Sequence, residues 1–303
     1  MTAPVLHGTP RPPTVLREQL RAVTLALRLP ALIFGVVVAV ATVFIVVGWL
    51  QDRRGLDFEP ELSPLTSVLG LLLPIGVWMG EDRFGAGFLW TLPVERRWHA
   101  LARVGAGWAF LMAIIAAFVG WQALATLLTG GGFLAERTLQ LLAGDPSAGP
   151  VAADALRSVR WTPEPLLWLA PFTGATGTYL LASAVALGVR RPARRFAALA
   201  ATLFLLGALA DVVGRAIGSE RLILAPARVL RAVLYGPFGF DTLSSARTES
   251  LKTLATLSNG DRVSVWTGLP DVGQWALATL VWIAAGALLL WAAASRHRER
   301  RRA

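Results

Sequence analysis

Between Pro30 and Leu50 the chain carries no charged side chain at all. A helix of about 20 apolar residues is what it takes to cross a bilayer's hydrocarbon core. Five more blocks of comparable character follow, at about 63–80, 101–128, 165–189, 196–217 and 273–294. This pattern constrains the fold more than anything else in the sequence. Within hydrocarbon every backbone N–H and C=O must be satisfied inside the segment, so each block is expected to be a helix. Composition agrees: 55% of the 303 residues are apolar and 16% charged, against about 45–50% and about 25% in ordinary soluble domains. The expected fold is all-α, a polytopic membrane protein with six transmembrane helices. A soluble globular enzyme, a disordered chain and a nucleic-acid-binding domain are excluded on the same grounds.

The net charge of +10 is unevenly placed. The leader, the stretch 81–103, the turn 190–195 and the tail 296–303 together carry seventeen arginines and five carboxylates. The opposite loops carry eleven basic and thirteen acidic residues. An excess of Lys and Arg in short loops marks the cytoplasmic side. Six spans put both termini on that side, and the long loops 129–164 and 218–272 on the outer side. Residues 31–295 then form the membrane domain between a leader, 1–30, and a basic tail. Trp49, Trp161, Trp168, Trp266, Trp275 and Trp291 fall near span ends, where an amphipathic ring prefers the interface. Trp108 and Trp282 read as core residues. The leader is long and proline-punctuated, and does not read as a signal peptide.

Within the leader, Thr14 to Leu29 reads as an amphipathic helix. Leu16, Leu20, Val23 and Leu27 form an apolar stripe, and Arg17, Arg21 and Arg28 lie on a neighbouring face. Pro30 is expected to end it. Such a helix lies flat on a membrane surface with its arginines near anionic headgroups; a plain solvated leader is the alternative.

The segment Glu81 to Arg97 joins spans two and three. It is too polar for lipid, and with Phe84, Phe88, Leu89, Trp90 and Leu92 too apolar for a free loop. A short surface helix presenting contacts to a partner fits that mixture, ending before Pro93; an interfacial turn without a partner is the alternative. An acidic residue after span two (Glu81), a small spacer (Gly85) and Leu92-Pro93-Val94-x-Arg96 at the opening of span three resemble the type-2 ABC transporter permease family. The resemblance covers about seventeen residues by motif and most of the chain by topology. It implies six spans, an N-terminal "elbow" helix over Thr14–Leu29, and a coupling segment over 81–99. Glu81, Arg83, Phe84, Phe88, Leu92, Pro93, Val94 and Arg96 would contact a separate ATPase. It further implies an exporter of the cell membrane, the bacterial cytoplasmic membrane being the expected site. Two ATPase copies would bind ATP and Mg, and a second permease, identical or different, would complete the assembly. The long loops depart from the simplest members. A non-transporting membrane anchor, docking a partner through those loops, is the other reading.

The chemistry that is missing narrows the reading further. There is no cysteine, so no disulfide, zinc–thiolate site or cysteine nucleophile. The lone lysine, Lys252, is preceded by no glycine-rich loop, so the chain itself holds no Walker A motif, and no cofactor, metal or nucleic-acid partner is expected for it. Gly130-Gly131-Gly132 reads as a flexible exit from span three. His7, His99 and His297 are scattered, and the outer-loop acids show no paired spacing. Asp211 and Arg215, at i and i+4 in span five, read either as a pathway pair or as a self-compensating pair near the helix end. The small residues Gly174, Ala175, Gly177, Ala182, Ser183 and Ala184 suggest close helix packing.

Overall fold

The computed structural model describes residues 12–52, 55–60, 65–78, 96–134, 136–142, 152–189, 233–234, 236–245, 253–258, 262–266 and 268–296, with isolated residues between 198 and 217. Its first helix, α1 (Pro12–Asp52), runs unbroken through Pro30. The elbow and the first span are therefore one helix, and the expected break is absent. A proline inside a helix removes one hydrogen bond and crowds the carbonyl four residues back. In apolar surroundings a full break would orphan several more backbone groups, so the helix continues with one bond fewer. The expected stripe is also displaced. Val23 and Leu27 are fully buried, whereas Leu16 and Leu20 are exposed and the third inward-facing residue is Gln19.

Helix α2 (Leu65–Val77) is 13 residues long, shorter than the block that foretold it. Helices α3 (Arg96–Thr129), α4 (Ala170–Gly188) and α6 (Val272–Ser295) follow, with a six-residue α5 (Phe240–Ser245) before the last. Three of these, over Leu16–Gln51, Arg97–Thr129 and Val272–Ser295, are long and apolar enough to cross a membrane. The chain is mostly helical and reads as membrane-embedded. Residue 198 and nine residues of 201–213 are helical, while half of the fifth block, Asp211 and Arg215 among it, lies outside the described residues.

Cross-helix contacts fix the directions. Phe34 meets Phe118 and Trp121 Nε1 donates to Thr42 Oγ1 at 2.9 Å, so α1 and α3 run the same way. Tyr179 donates to the Val104 carbonyl at 2.8 Å and Trp108 Nε1 to Thr176 Oγ1 at 3.1 Å, so α4 runs against α3. Trp108 is consequently half exposed at a helix seam, not a core residue. Helix α4 is the hub, packed against α2, α3, α5 and α6. Small residues permit this. A Cβ on Gly286 would sit 2.8 Å from Leu180 Cβ, and one on Gly174 2.6 Å from Ser67 Oγ. Such close backbone approach is how helices associate where lipid is as apolar as the helices themselves.

Helix α5 enters this bundle. Leu243 is fully buried against α4, and Trp282 Nε1 donates to the Phe238 carbonyl at 2.9 Å. Trp282 lies ten residues into α6, roughly 15 Å along the helix, so residues 238–245 dip into the bundle to that depth.

The chain is not purely helical, which corrects the all-α expectation. Strands β1 (Arg137–Leu142) and β2 (Leu156–Trp161) form one antiparallel hairpin, β3 (Thr253–Thr256) and β4 (Arg262–Val265) another. A parallel bridge between Leu141 and Trp266 joins them: Trp266 N donates to the Gln140 carbonyl at 2.7 Å and Leu142 N to the Trp266 carbonyl at 2.8 Å. Leu142, Ala255 and Val265 form a small core between the hairpins. The two long loops thus fold together into one β cap. The glycine run beneath it is not a flexible exit. Gly130 takes φ +73°, a conformation that favours glycine, and the chain then packs on residues 55–58. Phe58 N donates to the Gly132 carbonyl and Gly132 N to Asp57 Oδ1, each at 3.0 Å, and Leu56 N to Thr129 Oγ1 at 2.9 Å. Phe58, Phe133 and Trp168 cluster above this crossing.

Candidate functional site

At the end opposite the cap, the N-termini of α1 and α3 meet the C-termini of α2, α4 and α6. This end is basic. Among the described residues it carries Arg17, Arg21, Arg28, Arg96, Arg97, Arg103 and Arg296 against Glu18. Segment 79–95 leaves from α2 and returns to α3 here.

Arg103 is the centre of this joint. It lies seven residues into α3 and is only 3% exposed. Its Nε and Nη2 both donate to the Val77 carbonyl, at 2.9 and 2.8 Å, and its Nη1 to Gln19 Oε1 at 3.4 Å. The last carbonyls of a helix have no partner within the helix and carry its negative dipole end. A guanidinium there supplies donors and compensating charge together. One side chain of α3 thereby holds the end of α2 and the N-terminal part of α1. The Trp78 indole lies beneath the guanidinium, 5.4 Å from ring centroid to Cζ. Gly107 admits the ring of Tyr179 beside Val77, and Leu27 packs against Gly76.

Arg97, six residues earlier on α3, is 7% exposed and lies 3.5 Å over the ring centroid of Trp291 on α6. His99, between the two arginines, is buried as well. Helix α3 begins five residues before the apolar block at 101, which carries His99 inside the packed joint.

The expected contact residues divide as follows. Glu81, Arg83, Phe84, Phe88, Leu92, Pro93 and Val94 lie outside the described residues; Arg96 is the first residue of α3, its side chain outside them too. Arg17, Arg21 and Arg28 are exposed on α1. The joint itself, made by Gln19, Val77, Trp78, Arg97, Arg103, Tyr179 and Trp291, was not singled out from sequence. One signal was available: Arg103 interrupts the apolar run Leu101-Ala102-Arg103-Val104, and an arginine there needs a partner.

What this arrangement can do is mechanical. Both flanks of segment 79–95 are tied to one side chain, so displacement of the segment loads α1, α2 and α3 together. Among the described residues no group of three His, Asp or Glu side chains could hold a metal ion. No family model, no curated protein and no solved structure matches this chain.

Proposed function

We propose that the chain is the membrane-spanning permease subunit of an ATP-driven ABC-type exporter, working as a dimer of permeases with two separate ATPase subunits. Its six spans place the basic end in the cytoplasm and the cap outside. ATP and Mg are bound by the partner ATPase, and this chain is not itself an enzyme. When the ATPases close on ATP, they displace segment 81–99, and the spans follow, opening a path between two permease copies.

The observation that carries this reading is the Arg103 joint. A transmitting segment needs stiff attachments at both ends, and here one buried guanidinium spans the end of α2, α3 and α1. The motif Leu92-Pro93-Val94-x-Arg96 directly before α3 supports it. The test is purification of the intact chain in mild detergent with mass spectrometry of what accompanies it, followed by Phe88→Asp with Leu92→Asp. A stoichiometric partner carrying G-x-x-x-x-G-K-[ST] is expected, and is expected to be lost from the double variant. Retention of the ATPase by the double variant removes the assigned coupling role.

The β cap favours a second reading, a non-transporting anchor that docks a partner by its outer face. An anchor binds no ATPase, or binds one whose turnover no solute stimulates.

A further inference from the structure

We propose that Arg97 and Trp291 form a seat for the phosphate of an anionic phospholipid, between α3 and α6 at the basic end. The inference rests on the membrane-crossing helices and not on the transporter reading.

The first observation is a buried cation with one donor unmet among the described residues. Arg97 is 93% withdrawn from solvent, and its guanidinium Cζ lies over the Trp291 ring, 3.5 Å from the centroid. Stacking uses the face of the guanidinium and leaves its in-plane N–H donors available. The buried Nε meets no acceptor among the described residues. Arg103 differs, its donors being engaged by Val77 and Gln19. A buried charge without an anion is strongly disfavoured, so the Arg97 site selects for one. A phosphate oxygen matches the guanidinium edge in geometry and charge.

The second observation concerns where the seat opens. Trp98 and Trp291 are 58% and 51% exposed. They lie at the ends of two helices long and apolar enough to cross a membrane, the depth at which indole rings and lipid headgroups meet. Leu288, about one turn before Trp291 on the same face of α6, is an exposed apolar residue. An anion seated at Arg97 therefore has an acyl-chain surface directly below it. A free phosphate would use only the upper half of that arrangement. Exposed Arg296, Arg17 and Arg21 at the same end, opposed among described residues by Glu18 alone, favour an anionic over a zwitterionic headgroup.

The test uses the full chain in nanodiscs containing equal phosphatidylglycerol and phosphatidylcholine, with the lipids retained on release counted by native mass spectrometry. The wild type is expected to retain phosphatidylglycerol in preference. Arg97→Gln is expected to weaken that retention by about tenfold, the worth of one charge-assisted hydrogen bond. Trp291→Leu, which alters a half-exposed position and keeps α6 apolar, is expected to weaken it less. Arg157→Gln, at an exposed position of β2 in the cap, is expected to leave it unchanged. Equal retention of the two lipids by the wild type overturns the proposal without reference to any variant. So does an Arg97→Gln or Trp291→Leu protein that keeps the full preference, the result expected if Glu81, Asp82 or Glu95 already neutralises Arg97. Excess inorganic phosphate separates the sources: a seat for any phosphate releases the lipid, and that outcome also overturns the lipid assignment.

Discussion

Arg103 and Val77 are joined by two hydrogen bonds from one guanidinium to one carbonyl, across the whole length of the segment between α2 and α3. No local regularity produces this contact. The residues are 26 apart in sequence, and the bond exists because the C-terminus of α2 stops level with the second turn of α3. Replacing Arg103 with Leu leaves the Val77 carbonyl buried without its donors and is expected to destabilise the protein by about 3 kcal/mol. Arg103→Lys, which cannot give two parallel bonds, is expected to recover only part of this. Thermal unfolding in detergent measures both. If Arg103→Leu melts with the wild type, the joint does not hold α2.

Tyr179 gives a gentler probe of the same region. Its hydroxyl donates to the Val104 carbonyl at 2.8 Å deep in the bundle. Tyr179→Phe removes that bond and little volume, with an expected loss of about 0.6 kcal/mol, as for hydrogen bonds between membrane helices. Tyr179→Ala opens a cavity in addition and is expected to lose several times more, about 3 kcal/mol or above. Equal melting temperatures for Phe and Ala would mean that the ring is not packed.

The crossing under the cap is testable through glycine. A Cβ at Gly131 would collide with the Leu56 carbonyl, while one at Gly35 or Gly105 would meet nothing within 4 Å. Gly131→Ala is therefore expected to destabilise by about 2 kcal/mol or more, and Gly105→Ala, in a helix interior, to be neutral or stabilising by about 0.5–1 kcal/mol. Proteolysis of the intact protein at limiting protease follows the difference, with faster cleavage expected between residues 53 and 64 only in Gly131→Ala.

The absence of cysteine makes the union of the two loops directly measurable. Leu141→Cys with Trp266→Cys places two thiols on bridged residues, and a short bis-maleimide is expected to join them. Ser158→Cys with Trp266→Cys, on a residue one strand further away, is expected to react far less. Comparable cross-linking of both pairs would mean that the hairpins do not share an edge.

Hydropathy and local spacing determined that this chain embeds helices in a membrane, and put three of them close to where α1, α3 and α6 lie. They did so because a bilayer demands a local solution: each segment satisfies its own backbone. The small residues of α4 were legible for the same reason, since close helix approach needs them wherever the partner lies. What tertiary structure alone decided is everything that depends on who the neighbour is. Pro30 reads as a helix end in sequence, yet α1 passes through it, because the apolar surroundings leave the freed backbone no better partner. Gly130-Gly131-Gly132 reads as slack until residues 55–58 arrive against it. The loops read as connections until Leu141 and Trp266, 125 positions apart, bring two hairpins together. Arg103 reads as one more topological charge until the end of α2 is placed beside it. The last three are contacts between residues remote in sequence, and the preference of a single segment contains no information about them.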